Sequence, residues 1–131
     1  MAKKPTRSKL IKTADKVFSE YIRRRNANGL GMTECFTCGK IDHWKNLQCG
    51  HFQSRKHYAT RWDEKNCQVQ CAGCNVFRYG EQYKFGLYLD KKYANNISEK
   101  LMNKARKTVK FSNYDIQEII DHYKLEISKL N

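Results

Sequence analysis

Apolar residues near the start of the chain recur at three- and four-residue spacing, with lysines and arginines between them. The apolar positions are Leu10, Ile11, Ala14, Val17, Phe18, Tyr21 and Ile22. This spacing predicts an amphipathic α-helix from Thr6 to about Ala27, ended by Gly29 and Gly31. The run Arg23–Arg25 either complements the helix dipole as a solvated end or contacts phosphate. We therefore predict a basic N-terminal helix within residues 1–30.

Helical periodicity is lost in the middle of the chain, where cysteine, glycine, histidine and aromatic residues concentrate. The segments "NLQCGHFQ" and "NCQVQC" are typical of short strands, and "SRKHYATRWDEK" between them is predicted to be a loop. After Cys74 the apolar positions return to helical spacing, with a break expected at Gly80. The pattern predicts a strand, loop, strand and helix order within a core at residues 31–82.

Two more helices are predicted in the C-terminal part, residues 83–131. One runs from about Ser98 to Lys107, and the other starts at Ser112, which forms a capping-box pattern with Asp115. The apolar face of the last helix contains Ile116, Ile119, Ile120, Tyr123, Ile127 and Leu130. The whole pattern predicts a small α+β fold in a single domain, residues 1–131.

The charge balance indicates a polyanionic partner. The chain has 26 Lys and Arg against 13 Asp and Glu, a formal net charge of +13. This excess favours nucleic acid over acidic lipid or a merely solvated surface. No apolar run is long enough to span a bilayer, and no apolar stretch follows the basic N-terminus. We expect a cytoplasmic protein without membrane association, in which cysteines stay reduced.

Four of the six cysteines form two Cys-x-x-Cys pairs, Cys35 with Cys38 and Cys71 with Cys74. Two such turns present four thiolates to one ion, which predicts a closed, structural zinc site. Redox use is the rival interpretation, but no thioredoxin-like βαβ pattern surrounds either pair. The two other cysteines are predicted to be small buried residues, Cys49 and Cys67.

The segment between the two cysteine pairs contains residues suited to phosphodiester hydrolysis. We expect His51 on the first strand, Asn66 at the opening of the second and Asn75 at the start of the helix. A neutral imidazole can take a proton from water, and Mg²⁺ held by oxygen ligands can stabilise charge on a phosphate. Asn75 has an amide oxygen for that cation, and Asn66 can hydrogen-bond the loop backbone.

These residues resemble a nuclease family. The pattern "GH…N-x₄-C-x-x-C-N" resembles the HNH, or ββα-metal (His-Me finger), nucleases in the variant whose final position is Asn. With "CFTCG", "CGHF" and "TRWDEKNCQVQCAGCN", the region from about 35 to 80 resembles the phage NinG (Rap) recombination family, and more distantly endonuclease VII. The resemblance implies a zinc-braced ββα-metal core that cuts branched DNA such as Holliday junctions. It implies His51 as general base, Asn75 as metal ligand and Asn66 as the residue that braces the loop.

One position departs from that family. Its members carry a metal-binding aspartate three residues before the histidine, and here that position is Gln48. A neutral amide binds Mg²⁺ more weakly than a carboxylate does. Either Gln48 serves with reduced affinity, or Asp63 or Glu64 supplies the charge, or activity is impaired; Mn²⁺ is a possible replacement ion. The cations expected to contact DNA are Arg55, Lys56, Arg61 and Arg78.

The leading hypothesis is a metal-dependent endonuclease that acts on branched DNA in phage-type recombination. Symmetric cutting needs two sites, so we expect a homodimer, with the N-terminal helix and the helix after Ser112 as candidate interfaces. The alternatives are an HNH nicking enzyme for ordinary duplex and a non-catalytic zinc module that binds nucleic acid. The pair Asp42-His43 is interpreted as a surface pair in a turn, and His57 and His122 as surface or core residues.

Overall fold

The computed structural model describes residues 3–130; residues 1, 2 and 131 of the predicted domain lie outside the described part. It confirms a mixed α+β architecture of five helices and two small sheets over these residues. The helices are α1 (Arg7–Arg24), α2 (Tyr58–Arg61), α3 (Gln82–Tyr93), α4 (Ile97–Ala105) and α5 (Asn113–Ser128). The strands are β1 (Met32–Glu34), β2 (Ile41–His43), β3 (Gln48–His51) and β4 (Cys67–Gln70). A 3₁₀ turn (Trp44–Asn46) and a one-turn π-helix (Gly73–Phe77) complete the set.

Helix α1 forms on the predicted apolar stripe. The hydroxyl of Thr6 caps it by accepting the backbone N–H of Lys9, and the helix ends at Arg24, earlier than expected. Its buried residues are Leu10, Ala14, Phe18 and Ile22. Burying each of the larger side chains contributes about 1.5–3 kcal/mol, so this stripe commits α1 to the core.

The stripe of α1 packs against α5 in the same chain. Helix α5 starts with the predicted capping box of Ser112 and Asp115 and buries Ile116, Ile120 and Tyr123. The rings of Phe18 and Tyr123 meet edge to face with centroids 4.9 Å apart. The apolar stripes that suggested α1 and α5 as dimer interfaces are therefore covered within the chain, and the homodimer itself stays a prediction. The two helices share one hydrophobic cluster, which also includes Trp62 and Cys67.

A short hairpin, β1–β2, was not anticipated from the sequence. Its strands pair antiparallel with Met32 opposite His43, so Asp42 and His43 belong to a strand rather than a turn. Three-residue strands are too short to show a period of two, which is why the pattern missed them. Asp42 accepts hydrogen bonds from the backbone of His43 and the side chain of Asn46.

The β3–β4 hairpin matches the two predicted strands. Gln48 pairs with Gln70 and His51 with Cys67, so Cys49, His51 and Cys67 share the sheet face that packs near α1. Gly50 lies on the other face, against the fully buried side chain of Gln70. Any Cβ at position 50 would collide with that amide, so glycine is required there for close packing.

The predicted loop between β3 and β4 contains the short helix α2, which begins after His57. The break at Gly80 is confirmed: its φ is +87°, and α3 starts only at Gln82. Helices α3 and α4 pack through Phe85, Leu89 and Leu101. Over residues 3–130, no helix combines the length and apolar character needed to cross a membrane.

Candidate active site beside a four-cysteine cluster

The four predicted zinc ligands come together. The sulfur atoms of Cys35, Cys38, Cys71 and Cys74 all lie within 4.8 Å of one another. Burial opposes ionisation of Cys35, but backbone N–H groups, that of Cys71 foremost, outweigh it and lower the thiol pKa to about 6. Four soft sulfur donors in one cluster suit tetrahedral zinc. The cluster could therefore hold a zinc ion, as predicted.

The cluster joins the two hairpins. Cys35 and Cys38 follow β1, whereas Cys71 follows β4 and Cys74 lies in the π-helix. The backbone N–H of Phe36 also donates to the carbonyl of Val69, at 2.8 Å. A metal bound here would hold the end of β4 and the start of the π-helix at a set position relative to the β1–β2 hairpin.

A cleft of about 720 Å³ lies beside this frame. Its lining includes Asp15 of α1, Gln48 and His51 of β3, Arg55, and Asn75 of the π-helix. Residues from both faces of β3 line it, as expected of a cleft that runs along the unpaired edge of that strand. Two of the three predicted catalytic residues, His51 and Asn75, therefore face one cavity.

His51 is held by a backbone carbonyl. Its Nε2 atom lies 3.0 Å from the carbonyl oxygen of Arg61, which can only accept a hydrogen bond. Nε2 therefore carries the proton, and the basic lone pair of the neutral ring is on Nδ1. Burial lowers the pKa of His51 and outweighs the hydrogen bond to the Arg61 carbonyl, which raises it. The imidazole is thus neutral near pH 7, in the tautomer that can take a proton at Nδ1.

Arg61 is itself held by Asp15, so its guanidinium is engaged within the chain, and a DNA contact through it stays a prediction. Its guanidinium donates to both carboxylate oxygens of Asp15, at 3.0 Å from Nε and 2.6 Å from Nη2. Trp62 Nε1 also donates to Asp15, and the Arg61 side chain is only 13% exposed. The Arg61 side chain can be mostly buried because its charge is paired with the carboxylate of Asp15. Sequence reasoning missed Asp15, whose one signal was an acidic residue bordering the apolar stripe of a basic helix.

Asn66 is fully buried and spans the loop between β3 and β4. Its Oδ1 accepts the backbone N–H of Gln53 at 2.8 Å. Its Nδ2 donates to the carbonyls of Gln53 and Thr60, each at 3.0 Å. These are contacts of the kind expected from the sequence, and they fix the loop that contains Arg55 and the start of α2.

Asn75 and Gln48 meet directly. Nδ2 of Asn75 donates to Oε1 of Gln48 at 2.7 Å. This leaves the amide oxygen of Asn75 and a second lone pair on Gln48 available as oxygen donors. Asn75 follows Cys74 in the π-helix, so the cysteine cluster sets its position. Oxygen donors of this kind suit a hard divalent cation, with lower affinity than carboxylates.

The two carboxylates proposed as substitutes lie elsewhere. Asp63 forms an ion pair with Lys104 of α4, and Glu64 accepts the hydroxyl of Tyr123 of α5 at 3.0 Å. The turn before β4 directs both side chains toward those helices, into a separate groove. Among the described residues that line the cleft, Asp15 has the one carboxylate, and its oxygens are engaged by Arg61 and Trp62.

The other predicted DNA contacts are solvent-accessible. Arg55 lines the cleft with its side chain 61% exposed, 3.6 Å from the carboxylate of Asp15. Lys56 is exposed in the same loop, and Arg78 is exposed with Nη1 3.7 Å from the sulfur of Cys74. Of the four predicted cations, Arg55 is the one that both lines the cleft and is exposed.

The two cysteines outside the cluster differ from each other. Cys67 is fully buried, as predicted, and burial raises its thiol pKa. Cys49 is only half-buried and lines the cleft, which corrects its assignment as a buried residue. Because of the β3–β4 register, both sulfurs and a ring nitrogen of His51 lie within 4.8 Å of one another. Strand pairing created this grouping, and the spacing along the sequence did not reveal it.

Comparison with known proteins identifies one match. The family model described as "Bacteriophage Lambda NinG protein" matches residues 1–131. No curated protein and no solved structure matches the chain.

Proposed function

The chain belongs to the bacteriophage lambda NinG protein family, a phage family related to recombination, and from this membership and the cleft we propose that it is a metal-dependent DNA endonuclease. The proposed substrate is branched DNA such as a Holliday junction, cut inside the bacterial host. The observation that carries the proposal is His51, whose Nε2 is bound to the Arg61 carbonyl in the cleft that Asn75 and Gln48 also line.

In the proposed reaction, the chain supplies a base and a rigid frame. His51 accepts a proton at Nδ1 from a water molecule that attacks the phosphorus, while Nε2–H stays on the Arg61 carbonyl. The P–O bond to the leaving sugar oxygen breaks as the new bond forms, and that oxygen takes a proton from a second water molecule to leave as a hydroxyl. Asn66 keeps the loop in place, so the carbonyl stays aligned with the ring. Arg55, exposed at the cleft, binds a phosphate oxygen near the cut.

Asn75 and Gln48 are the residues that would hold the catalytic cation. Their side chains are in contact, with Nδ2 of Asn75 2.7 Å from Oε1 of Gln48, and each side chain has an amide oxygen of the type that Mg²⁺ or Mn²⁺ takes. Water and phosphate oxygens would supply the other ligands. A bound divalent cation would neutralise charge that builds on the phosphate. Without a free carboxylate the affinity is lower than in a site with aspartate, which favours Mn²⁺ over Mg²⁺.

The net charge of +13 supports DNA as the partner. A four-way junction is resolved by two symmetric cuts, so we propose that two copies act together on DNA. The proposed interface between the two copies lies outside the α1–α5 contact, because the apolar stripes of these helices already pack against each other within one chain.

Cleavage of a labelled four-way junction by wild type and His51→Ala, in Mg²⁺ and in Mn²⁺, tests the proposal. We expect wild type to cut and His51→Ala to bind with equal affinity without cutting. A linear duplex of the same sequence is the substrate control. Equal cutting of duplex and junction would leave a nicking nuclease, and equal cutting by both proteins would overturn the assignment of His51.

A second candidate is a DNA-binding module without catalysis. The observation that favours it is that Asp15, the carboxylate lining the cleft, is already paired with Arg61. This candidate predicts junction binding by wild type with no cleavage in either metal. Cleavage that depends on His51 would exclude it.

A further inference from the structure

Three aromatic side chains in the segment 77–83, one of which lines the cleft, are almost fully exposed. Phe77, Tyr79 and Tyr83 have 78%, 87% and 83% of their surface accessible. Among the ring-to-ring contacts of residues 3–130, none involves these three, whereas Phe36, Phe52 and Phe85 nearby pack on one another. Exposing large apolar rings is unfavourable in water, so rings grouped within seven residues indicate a surface that another molecule covers.

The backbone that presents Tyr79 is strained and held firmly. Tyr79, Gly80 and Glu81 all have positive φ, +53°, +87° and +51°. Non-glycine residues adopt this conformation only where surrounding contacts impose it. Here the N–H of Gly80 donates to the carbonyl of Cys74 at 2.8 Å, and the buried Gln70 amide donates to the carbonyl of Gly80 at 2.9 Å. The exposed ring of Tyr79 therefore extends from a turn that two hydrogen bonds hold in place, one of them to Cys74 of the cysteine cluster.

The surroundings of these rings are cationic and continuous with the cleft. Arg78 is exposed between two of the rings in the sequence. Lys84, whose side chain is 54% exposed, pairs with Glu81 at 3.3 Å, so Arg78 supplies the unbalanced positive charge of this segment. Tyr79 itself lines the same cleft as His51 and Asn75. The net charge of +13 attracts polyanions over a long range. Charge and the position beside the cleft thus favour a polyanion with flat apolar faces as the molecule that covers the rings.

Nucleobases have such faces, and they are accessible only where a strand leaves the duplex. Within a duplex each base is covered by its neighbours, but at a branch point some bases unstack. Aromatic side chains bind unstacked bases by stacking, without regard to sequence. We infer that Phe77, Tyr79 and Tyr83 form a stacking platform for unstacked bases at a DNA branch, next to the cleft proposed to bind the phosphate. This inference rests on the proposed function, because it takes DNA as the partner.

The test measures binding rather than cleavage. A four-way junction with 2-aminopurine at the branch is titrated with protein in buffer without Mg²⁺ or Mn²⁺, beside a linear duplex with the same label. We expect the wild type to change the junction fluorescence and not that of the duplex. Tyr79→Ala and Tyr83→Ala should each bind the junction roughly 5- to 150-fold more weakly, with unchanged duplex affinity and thermal stability. Tyr79→Phe should bind as the wild type does, because it keeps the ring.

Tyr114→Ala is the matched control, since Tyr114 is 71% exposed on α5, away from the cleft lining. It should bind as the wild type does. Wild-type affinity and fluorescence in Tyr79→Ala, Tyr83→Ala and the triple alanine variant would overturn the platform. So would a loss of dimer mass in these variants without loss of junction binding, because the rings would then cover a second copy. If the alanine variants bind the junction more weakly but the wild type does not cleave it, only the proposed function is refuted. If the wild type cleaves the junction and the alanine variants bind it with wild-type affinity, only the platform is refuted.

Discussion

The ring of His51 and the backbone of Arg61 are joined by a hydrogen bond of 3.0 Å, and the Arg61 side chain is bound to Asp15 of helix α1. Asp15 of the N-terminal helix is thereby connected to His51, the proposed base, through Arg61. The strength of this connection comes from two charge-assisted hydrogen bonds in a mostly buried setting, with Asp15 19% and Arg61 13% exposed.

Replacing Asp15 with Asn should weaken both the fold and the site. The change leaves the Arg61 charge poorly paired, so we expect the unfolding free energy to fall by about 3 kcal/mol. The negative charge of Asp15 raises the pKa of His51, so its loss should move the acid limb of the rate profile to lower pH. Denaturant unfolding and single-turnover cleavage against pH measure the two effects. Asp121→Asn, at an exposed position of α5, is the control. Unchanged stability and pH profile in Asp15→Asn would show that the ion pair of Asp15 and Arg61 is not needed.

The pKa of His51 should lie below the ordinary value for histidine. Burial lowers its pKa from 6.5, so the folded protein keeps the imidazole neutral where an unfolded chain begins to bind a proton. The contribution to stability is complete above about pH 6.5 and is lost as pH falls through the lower folded value. Cleavage should follow the same limb, with its midpoint below 6.5 in single-turnover assays. His51→Gln should remove this part of the stability profile, and an acid limb centred above 6.5 would contradict the assignment.

Removing metal from the four-cysteine cluster should unfold the core. Structural zinc in small domains contributes on the order of 10 kcal/mol to folding, so Cys74→Ser or a strong chelator should abolish the cooperative thermal transition. Metal analysis should find one zinc per chain in the wild type. Cys49→Ser, outside the cluster, should retain that zinc and the transition. Two zinc ions in the wild type and one in Cys49→Ser would instead show that Cys49, His51 and Cys67 also bind metal.

Gln48→Asp should strengthen binding of the catalytic cation. A unit negative charge close to a divalent cation is worth several kcal/mol even at an effective dielectric of about 20. After desolvation is subtracted, we expect the half-saturating Mg²⁺ concentration for cleavage to fall at least about tenfold. Gln82→Asp places a carboxylate in the same cleft and tests whether position matters. Equal effects of the two variants would mean that Gln48 does not contact the cation.

Arg55 and Arg61 should separate DNA binding from stability. Arg55 is 61% exposed, so Arg55→Ala should weaken junction binding, lower the slope of log K against log salt by about 1, and leave the melting temperature unchanged. Arg61→Ala should lower the melting temperature, because it leaves the carboxylate of Asp15 without its buried partner. Fluorescence anisotropy over a salt series and thermal melts distinguish the two. The reverse pattern would restore Arg61 as the DNA contact.

Local signals accounted for much of the architecture. The start of α5 follows from Ser112 as a cap, and the apolar faces of α1 and α5 follow from apolar spacing, because helix formation depends on residues three and four apart. The Cys-x-x-Cys spacing identified the four-cysteine cluster for the same reason, since each pair forms one turn. The predicted end of α1 near Ala27 was three residues too late. The β1–β2 hairpin is not predicted from the sequence, because strands of three residues are too short to show an alternation of apolar and polar positions.

By itself, the sequence determined the α+β composition, the capping box of α5, the four cysteines and the positive charge. Only the tertiary structure decided that Asp15 holds Arg61, that Gln48 meets Asn75, and that Asp63 points away from the cleft. It also decided that the apolar faces of α1 and α5 cover each other. The physical reason is separation along the chain. Asp15 and Arg61 are 46 positions apart, and no local periodicity records which distant side chains packing will bring within hydrogen-bonding distance.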